Sequence, residues 1–141
     1  MLSNLKGTGV ALVTPLHEDE SIDFRGLEKL IDHVIDGGVD YVVSLGTTGE
    51  SPVFTWEEKM SIVSHTLEYC HGRIDVVLGL GGNNTREILE KLTIVAHLKV
   101  TAMLSVSPYY NRPSQEGIKN HYQQIAAASA HPIVLYNVPF R

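Results

Sequence analysis

Five short runs of apolar residues recur along the chain at nearly even spacing, each bounded by Gly, Pro or Asn. The runs are continuous rather than alternating, and they are rich in β-branched or aromatic side chains. Strands that are buried on both faces have this pattern, and such strands belong mostly to parallel sheets. The pattern therefore predicts five strands, at residues 9–13, 41–45, 76–80, 102–106 and 133–136.

Four segments with helical periodicity lie between these runs. The first is predicted to end at Gly37, because glycine is a common helix terminator. The second opens with Thr55 and Glu58, which have the spacing of a capping box. The fourth stops before the His-Pro pair at 131–132, because a residue that precedes proline disfavours the helical conformation. The third and fourth helices are predicted to begin at Asn84 and Ser114.

The predicted order is β-α-β-α-β-α-β-α-β, which places the chain in the α/β class. Repeated right-handed crossovers build either a doubly wound open sheet or a (β/α)8 barrel. A barrel uses on the order of 250 residues, or about 31 for each βα unit. This chain holds four such units and a fifth strand, and it ends on that strand and its loop rather than on a covering helix. The sequence therefore looks like a part of a larger α/β domain, and both architectures remain open at this point.

Composition and charge restrict the partners. The 141 residues are 43% apolar and 19% charged, and 11 basic against 16 acidic side chains give a net charge of −5. An acidic chain without a basic run is a poor ligand for nucleic acid or for an anionic membrane. Its apolar stretches are shorter than the roughly 20 residues of a membrane span. With no signal-peptide core and a single cysteine, Cys70, a cytoplasmic protein is expected.

Candidate chemistry is expected at the carboxyl ends of the strands, where active sites lie in both architectures. The turn at residues 46–50 offers two glycines, two threonine hydroxyls and several backbone N–H groups, which together can hold a small carboxylate. Tyr109, Tyr110 and Tyr136 follow the fourth and fifth strands, and a tyrosine can relay protons when a hydroxyl or a cation assists it. Taken singly, the turn also fits an ordinary βα connection, and each tyrosine also fits a packing role.

The seven histidines do not indicate a metal site. They form no HExxH motif, and the lone cysteine offers no Cys pair beside them. Most of them are expected at the surface or at helix ends.

Four segments at the strand ends resemble one family, the dihydrodipicolinate synthases. They span essentially the whole chain in the family's order, at residues 7–15 (GTGVALVTP), 46–51 (GTTGES), 108–117 (PYYNRPSQEG) and 135–139 (LYNVP). The third segment, together with Arg141 two residues after Pro139, favours the synthases over the N-acetylneuraminate lyases. Both groups belong to the superfamily of pyruvate aldolases and lyases that act through a Schiff base.

The resemblance implies a homotetramer of (β/α)8 barrels built from tight dimers. It further implies that residues 1–141 are the N-terminal portion of a single barrel domain, four βα units and a fifth strand, whose remainder is absent from this chain. It also implies an enzyme that condenses pyruvate with L-aspartate 4-semialdehyde to 4-hydroxy-tetrahydrodipicolinate, on the route to diaminopimelate and lysine. In that family pyruvate forms a Schiff base with a lysine on the sixth strand, the enamine attacks the aldehyde, and no metal or organic cofactor is needed. That lysine lies beyond Arg141, and the lysines present do not match it by position, so the 141 residues alone are expected to be inactive.

Several site residues are implied by the same resemblance. Tyr136 matches the tyrosine that shuttles protons, and Thr47 matches the hydroxyl that links it to Tyr110. Tyr110 matches the tyrosine that reaches into the neighbouring subunit's site. Thr47 and Thr48, with adjacent backbone N–H groups, match the site of the pyruvate carboxylate. Arg141 matches the arginine that receives the carboxylate of the semialdehyde, a role that its planar guanidinium suits.

Lysine-sensitive members of the family bind lysine as a feedback inhibitor at the tight-dimer interface. Trp56 and Lys59 stand where some sensitive members carry histidines, and Lys59 would repel the ammonium group of a bound lysine. The positions that match the effector site are Ser51, Asn83, Glu87 and Tyr109.

Two alternatives to the synthase remain open at this stage. One is another Schiff-base pyruvate aldolase or lyase, such as N-acetylneuraminate lyase, with a sugar-acid aldehyde as its partner. The other is a noncatalytic half-barrel that binds a partner or a small acid. An independent module of that kind should protect its sheet edges and end on a covering helix, and the sequence predicts neither.

Overall fold

The computed structural model describes residues 5–139. Within that range the predicted alternation of strands and helices is confirmed, and none of the helices combines the length and the hydropathy that a membrane crossing requires. Two 3-10 turns, Thr47–Gly49 and Ser51–Val53, follow the second strand. The elements are β1 (Gly9–Ala11), α1 (Phe24–Asp36), β2 (Tyr41–Ser44), α2 (Trp56–Cys70), β3 (Asp75–Gly79), α3 (Thr85–Val95), β4 (Ala102–Val106), α4 (Gln115–Ala128) and β5 (Ile133–Tyr136).

The chain divides into two compact units, with the boundary between Gly79 and Leu80. In the first unit, β1 pairs in parallel with β2, and β2 pairs in parallel with β3. Helix α1 packs on α2, and α2 packs on β2 and β3. Ile31 of α1 and Val63 of α2 have no exposed surface, and burial of an aliphatic side chain contributes about 2 kcal/mol. The helix pair thus packs on the strand that leads into the two 3-10 turns.

In the second unit, β4 and β5 are parallel, with a register that runs from Met103 opposite Ile133 to Val106 opposite Tyr136. Helix α3 packs against α4. Buried apolar side chains from both helices and from β4 fill this unit, and they include Ile88, Leu92, Val95, Ala102, Met103 and Ile125.

Each of the four helices begins with a polar side chain that accepts a hydrogen bond from a backbone N–H in the first turn. Thr55 and Glu58 form the predicted capping box, in which each side chain satisfies the other residue's backbone N–H. Such a cap stabilises a helix by about 1 kcal/mol, so these starts are determined locally. The four capping residues are Asp23, Thr55, Asn84 and Ser114.

Two sequence-based expectations are wrong in detail. The first and last strands are not buried on both faces, since Gly9 and Ala11 of β1 and the last two residues of β5 are exposed. Within its own described unit, β1 pairs only with β2 and β5 only with β4. Leu135 and Tyr136 of β5 are 57% and 40% exposed. Most of the histidines were expected at the surface or at helix ends, but the side chain of His121 lies buried on α4, where Nδ1 is 2.8 Å from the hydroxyl of Thr85.

Candidate functional site

The turn after β2 has a backbone conformation that few side chains adopt. Leu45 and Glu50, which flank it, both lie in the left-handed region, at φ angles of 57° and 54°. Between them, the backbone N–H of Gly49 donates to the carbonyl of Gly46, and that of Glu50 to the carbonyl of Thr47, each at 3.1 Å. A left-handed conformation costs a bulky residue on the order of 1–2 kcal/mol. The surrounding structure must therefore hold this turn in place.

Gly79, the last residue of β3, allows the turn to begin where it does. A Cβ atom at this position would lie 2.2 Å from the carbonyl oxygen of Leu45 and 2.7 Å from the backbone nitrogen of Gly46. These distances are far inside van der Waals contact, so any other residue at position 79 would displace the start of the turn.

The turn presents the hydroxyls of Thr47 and Thr48, its two side-chain donors. Both residues are exposed, and within residues 5–139 neither hydroxyl has a hydrogen-bond partner. Thr14, which follows β1, is buried and donates a hydrogen bond from Oγ1 to the carbonyl of Gly49 at 2.8 Å. Sequence reasoning assigned no role to Thr14, although a polar residue that ends an apolar run and precedes Pro15 was visible. The arrangement can hold a small hydrogen-bond acceptor such as a carboxylate.

The segment after β4, in the second unit, presents the two adjacent tyrosines differently. Tyr110 is 94% exposed and has a φ angle of 70°, an uncommon value for a bulky side chain. Tyr109 is half-buried, and its carbonyl accepts a hydrogen bond from Nδ2 of Asn83 at 3.0 Å. The structure thus brings together two of the predicted effector residues, Asn83 and Tyr109, and it directs Tyr110 into solvent.

Tyr136 ends β5, and its backbone is held by β4. The carbonyl of Tyr136 accepts hydrogen bonds from the backbone N–H of Ser107 at 3.0 Å and from its hydroxyl at 3.3 Å. The phenol of Tyr122, on α4, lies 3.2 Å from both the Ser107 hydroxyl and the carbonyl of Ser105. The sequence analysis missed this network. Its only signal was two serines at alternate positions near the end of an apolar strand.

The remaining predicted residues have simpler surroundings. Ser51 begins the second 3-10 turn and is half-buried, and Glu87 forms an ion pair with Lys91 one turn later on α3. Arg141 lies outside the described residues. Within the described range, no group of three or more His, Cys, Asp or Glu side chains could hold a metal ion.

Two further titratable groups, Cys70 and His121, are buried. Burial raises the pKa of the Cys70 thiol at the end of α2, which disfavours the reactive thiolate. Burial lowers the pKa of His121, which favours its neutral form. The buried thiol therefore adds no reactive nucleophile to the strand ends described above.

Comparison with known proteins gives a consistent result. The model of the "Dihydrodipicolinate synthetase family" matches residues 4–141. The 4-hydroxy-tetrahydrodipicolinate synthase of Parabacteroides distasonis is 56% identical over 138 residues, which cover 98% of this chain and 46% of that protein. The corresponding synthase of Flavobacterium psychrophilum is 50% identical over 135 residues, which cover 96% of this chain and 46% of that protein.

A solved structure agrees with these relatives. The chloride-inhibited dihydrodipicolinate synthase of Acinetobacter baumannii, complexed with pyruvate, is 40% identical and superposes with a TM-score of 0.92. The match covers 97% of this chain and 47% of that chain. This chain therefore spans about half the length of the relatives it matches. The predicted fold class, four βα units and a fifth strand as in the N-terminal part of a (β/α)8 barrel, is confirmed.

Proposed function

Because the chain belongs to the dihydrodipicolinate synthetase family, we propose that it is the N-terminal portion of a single-domain (β/α)8 enzyme that condenses pyruvate with L-aspartate 4-semialdehyde. The reaction would proceed through a lysine Schiff base and yield 4-hydroxy-tetrahydrodipicolinate in lysine and diaminopimelate biosynthesis. The observation that carries the proposal is the braced turn at residues 46–50, which presents two unpartnered threonine hydroxyls within the described range.

In this proposal, the turn binds the carboxylate of pyruvate. Thr48 and the backbone N–H groups beside it donate hydrogen bonds to the carboxylate oxygens, and Thr47 contributes a second hydroxyl. The exposure of both side chains supports this role, and the choice of pyruvate as ligand is supported by the structural relative that was solved in complex with it. A charged acceptor suits these donors, because hydrogen bonds to ionised groups are roughly twice as strong as neutral ones.

Proton transfer is assigned to three hydroxyl groups, on the resemblance of their motifs. Tyr136 shuttles protons during imine formation and cyclisation, with Thr47 as the link to Tyr110. A free phenol has a pKa near 10, so it seldom ionises at neutral pH. Hydroxyl groups linked by hydrogen bonds can pass a proton along without full ionisation of any one of them. The fixed backbone of Tyr136 supports its role, because proton transfer requires a donor and acceptor within about 3.2 Å of each other.

Assembly and substrate choice complete the proposal. Tyr110 would reach into the site of a neighbouring subunit in a cytoplasmic homotetramer of tight dimers, and its 94% exposure supports such a contact. Arg141 would bind the carboxylate of the semialdehyde. The hydrogen bond between Asn83 and Tyr109 supports a lysine effector site at these residues with Glu87 and Ser51. Lys59, near the start of α2, would repel the side-chain ammonium group of a lysine bound there, and so weakens feedback inhibition by lysine.

The test compares aldehyde partners. Purified full-length enzyme is supplied with pyruvate and either L-aspartate 4-semialdehyde or N-acetylmannosamine, and pyruvate consumption is measured at steady state. The proposal predicts turnover with the semialdehyde and negligible turnover with the sugar. Faster turnover with the sugar would favour N-acetylneuraminate lyase, the second candidate. The absence of turnover with either aldehyde would exclude both activities.

A further inference from the structure

The 46–50 turn depends on contacts from outside itself. Leu45 and Glu50 hold left-handed backbone conformations at its two ends, and Leu45 is buried. The hydroxyls of Thr47 and Thr48 have no hydrogen-bond partner in the described range, so it is the backbone of the turn that sets where the two side chains lie. Any small displacement of that backbone therefore moves both hydroxyls together.

Thr14 supplies a contact from behind the turn. Its side chain is 9% exposed, and its Oγ1 donates to the carbonyl of Gly49 at 2.8 Å across a sequence separation of 35 residues. The segment that carries Thr14 is itself fixed, because the N–H of Leu12 donates to the carbonyl of Val43 on β2 at 3.0 Å. The hydrogen bond thus joins the turn to a part of the sheet that is already anchored.

The packing at Gly49 brings the turn close to Thr14. A Cβ atom on Gly49 would lie 3.1 Å from the carbonyl oxygen of Leu12 and 3.4 Å from Oγ1 of Thr14. The tight distance is the one to Leu12, so a side chain at position 49 would press on the backbone of the segment that carries Thr14. This close approach and the hydrogen bond from Thr14 both hold the turn against the same segment.

We propose that Thr14 is a positioning residue, whose hydroxyl sets the 46–50 turn in the conformation that binds the substrate carboxylate. The identity of that carboxylate as pyruvate rests on the proposed function. Thr14 does not touch the substrate, and its effect passes through the carbonyl of Gly49 to the hydroxyls of Thr47 and Thr48. A displacement of about 1 Å can lower catalysis on the order of a hundredfold, so a small rotation of the turn is enough to be measured.

The kinetic test uses a matched control in the full-length enzyme. Thr66, buried in α2, donates its hydroxyl to the carbonyl of Ile62 at 2.8 Å, so Thr66→Val removes a hydrogen bond of the same kind and length as Thr14→Val does. We expect Thr14→Val to raise the KM for pyruvate roughly tenfold and Thr66→Val to leave it unchanged, with similar losses in Tm. Thr14→Ser, which keeps the hydroxyl, should restore most of the affinity.

Equal KM values for Thr14→Val, Thr66→Val and the wild type would overturn the proposal, as would an equal defect in Thr14→Ser and Thr14→Val. If Thr14→Val does not fold, Gly49→Ala takes its place, because the added methyl crowds the Leu12 carbonyl and so displaces the turn from the segment that carries Thr14 without removing the Thr14 hydroxyl. An unchanged pyruvate KM in a folded Gly49→Ala enzyme would also overturn it.

A second readout does not require activity. Amide hydrogen exchange reports the N–H groups of Gly49 and Glu50, whose hydrogen bonds define the turn. We expect Thr14→Val to accelerate their exchange and Thr66→Val to leave it unchanged. Unchanged exchange in Thr14→Val would refute the positioning role whatever the enzyme's reaction. A wild-type enzyme that does not use pyruvate would instead refute the proposed function. The positioning role of Thr14 would then stand or fall with the exchange result alone.

Discussion

The hydroxyl of Ser107 donates a hydrogen bond to the backbone carbonyl of Tyr136 at 3.3 Å, beside the ladder bond that the Ser107 amide makes to the same oxygen at 3.0 Å. The phenol of Tyr122 approaches the Ser107 hydroxyl from α4 at 3.2 Å. Two hydrogen bonds in series therefore join α4 to the backbone of the proposed catalytic tyrosine: the Tyr122 phenol donates to the Ser107 hydroxyl, and that hydroxyl donates to the Tyr136 carbonyl. This relationship fixes the position from which the Tyr136 side chain leaves the sheet.

We expect Ser107→Ala and Tyr122→Phe each to reduce the free energy of unfolding by about 1 kcal/mol, because each removes one part of this chain of donors. The double variant should lose less than the sum of the two, with a coupling of at least about 0.5 kcal/mol, because the two hydroxyls form one hydrogen bond. Denaturant unfolding of the four proteins in the full-length enzyme measures the coupling. Additive losses would indicate that the two hydroxyls act independently.

Tyr136→Phe and Thr47→Val should reduce turnover by about 10²- to 10⁴-fold while leaving the fold intact, because each removes a hydroxyl of the proposed proton relay. Circular dichroism and steady-state rates with both substrates measure the two effects. Near-normal turnover in either variant is incompatible with the relay.

Arg141→Ala should affect the aldehyde substrate selectively. Loss of the guanidinium should raise the KM for L-aspartate 4-semialdehyde or lower kcat, while the apparent affinity for pyruvate changes little. Steady-state kinetics with each substrate varied in turn separates these effects. If both substrates lose affinity equally, Arg141 has a structural role instead.

His121 should make the stability of the second unit sensitive to mild acid. Burial lowers the pKa of His121 in the folded state below its ordinary value of 6.5, so the unfolded state binds a proton more readily. The stabilising effect of neutral His121 is present above pH 6.5 and is lost as the pH falls through that value toward the folded pKa. The groups that pack against the ring are the Thr85 hydroxyl and the Tyr122 ring.

The measurement for His121 is the change in Tm between pH 7.5 and pH 5.5, compared in wild type and His121→Asn. Asparagine can preserve the hydrogen bond to Thr85 but does not titrate. We therefore expect a smaller fall of Tm in the variant. Equal falls would assign the acid sensitivity to the other six histidines or to carboxylates.

Local signals account for the parts of the fold that the sequence predicted well. The capping box at Thr55 and Glu58 and the helix start at Ser114 depend on residues within three positions of each other, so they can be read directly. The fourth and fifth strands begin and end where the apolar runs predicted. In each case the side-chain pattern and the local backbone preference agree.

Contacts between distant residues account for what was missed. The hydrogen bond from Thr14 to Gly49 spans 35 residues, and the pairing of His121 with Thr85 spans 36. Neither follows from periodicity, which assigns a residue to a face but not to a partner. The left-handed conformation of Leu45 was equally unreadable, because the glycine that permits it is Gly79 on the next strand. The motifs identified Thr47, Thr48 and Tyr136 as candidates, but the hydrogen bonds that hold their backbone in place are visible only in the structure.

The proposed function requires that pyruvate forms a Schiff base with a lysine outside these 141 residues. The direct measurement is borohydride reduction of the full-length enzyme in the presence of pyruvate, followed by peptide mass mapping and an activity assay. We expect loss of activity and one adduct, on a lysine beyond Arg141, with no adduct on the 141-residue chain treated alone. An adduct on Lys6, Lys29, Lys59, Lys91, Lys99 or Lys119, or retention of full activity without any adduct, would contradict it.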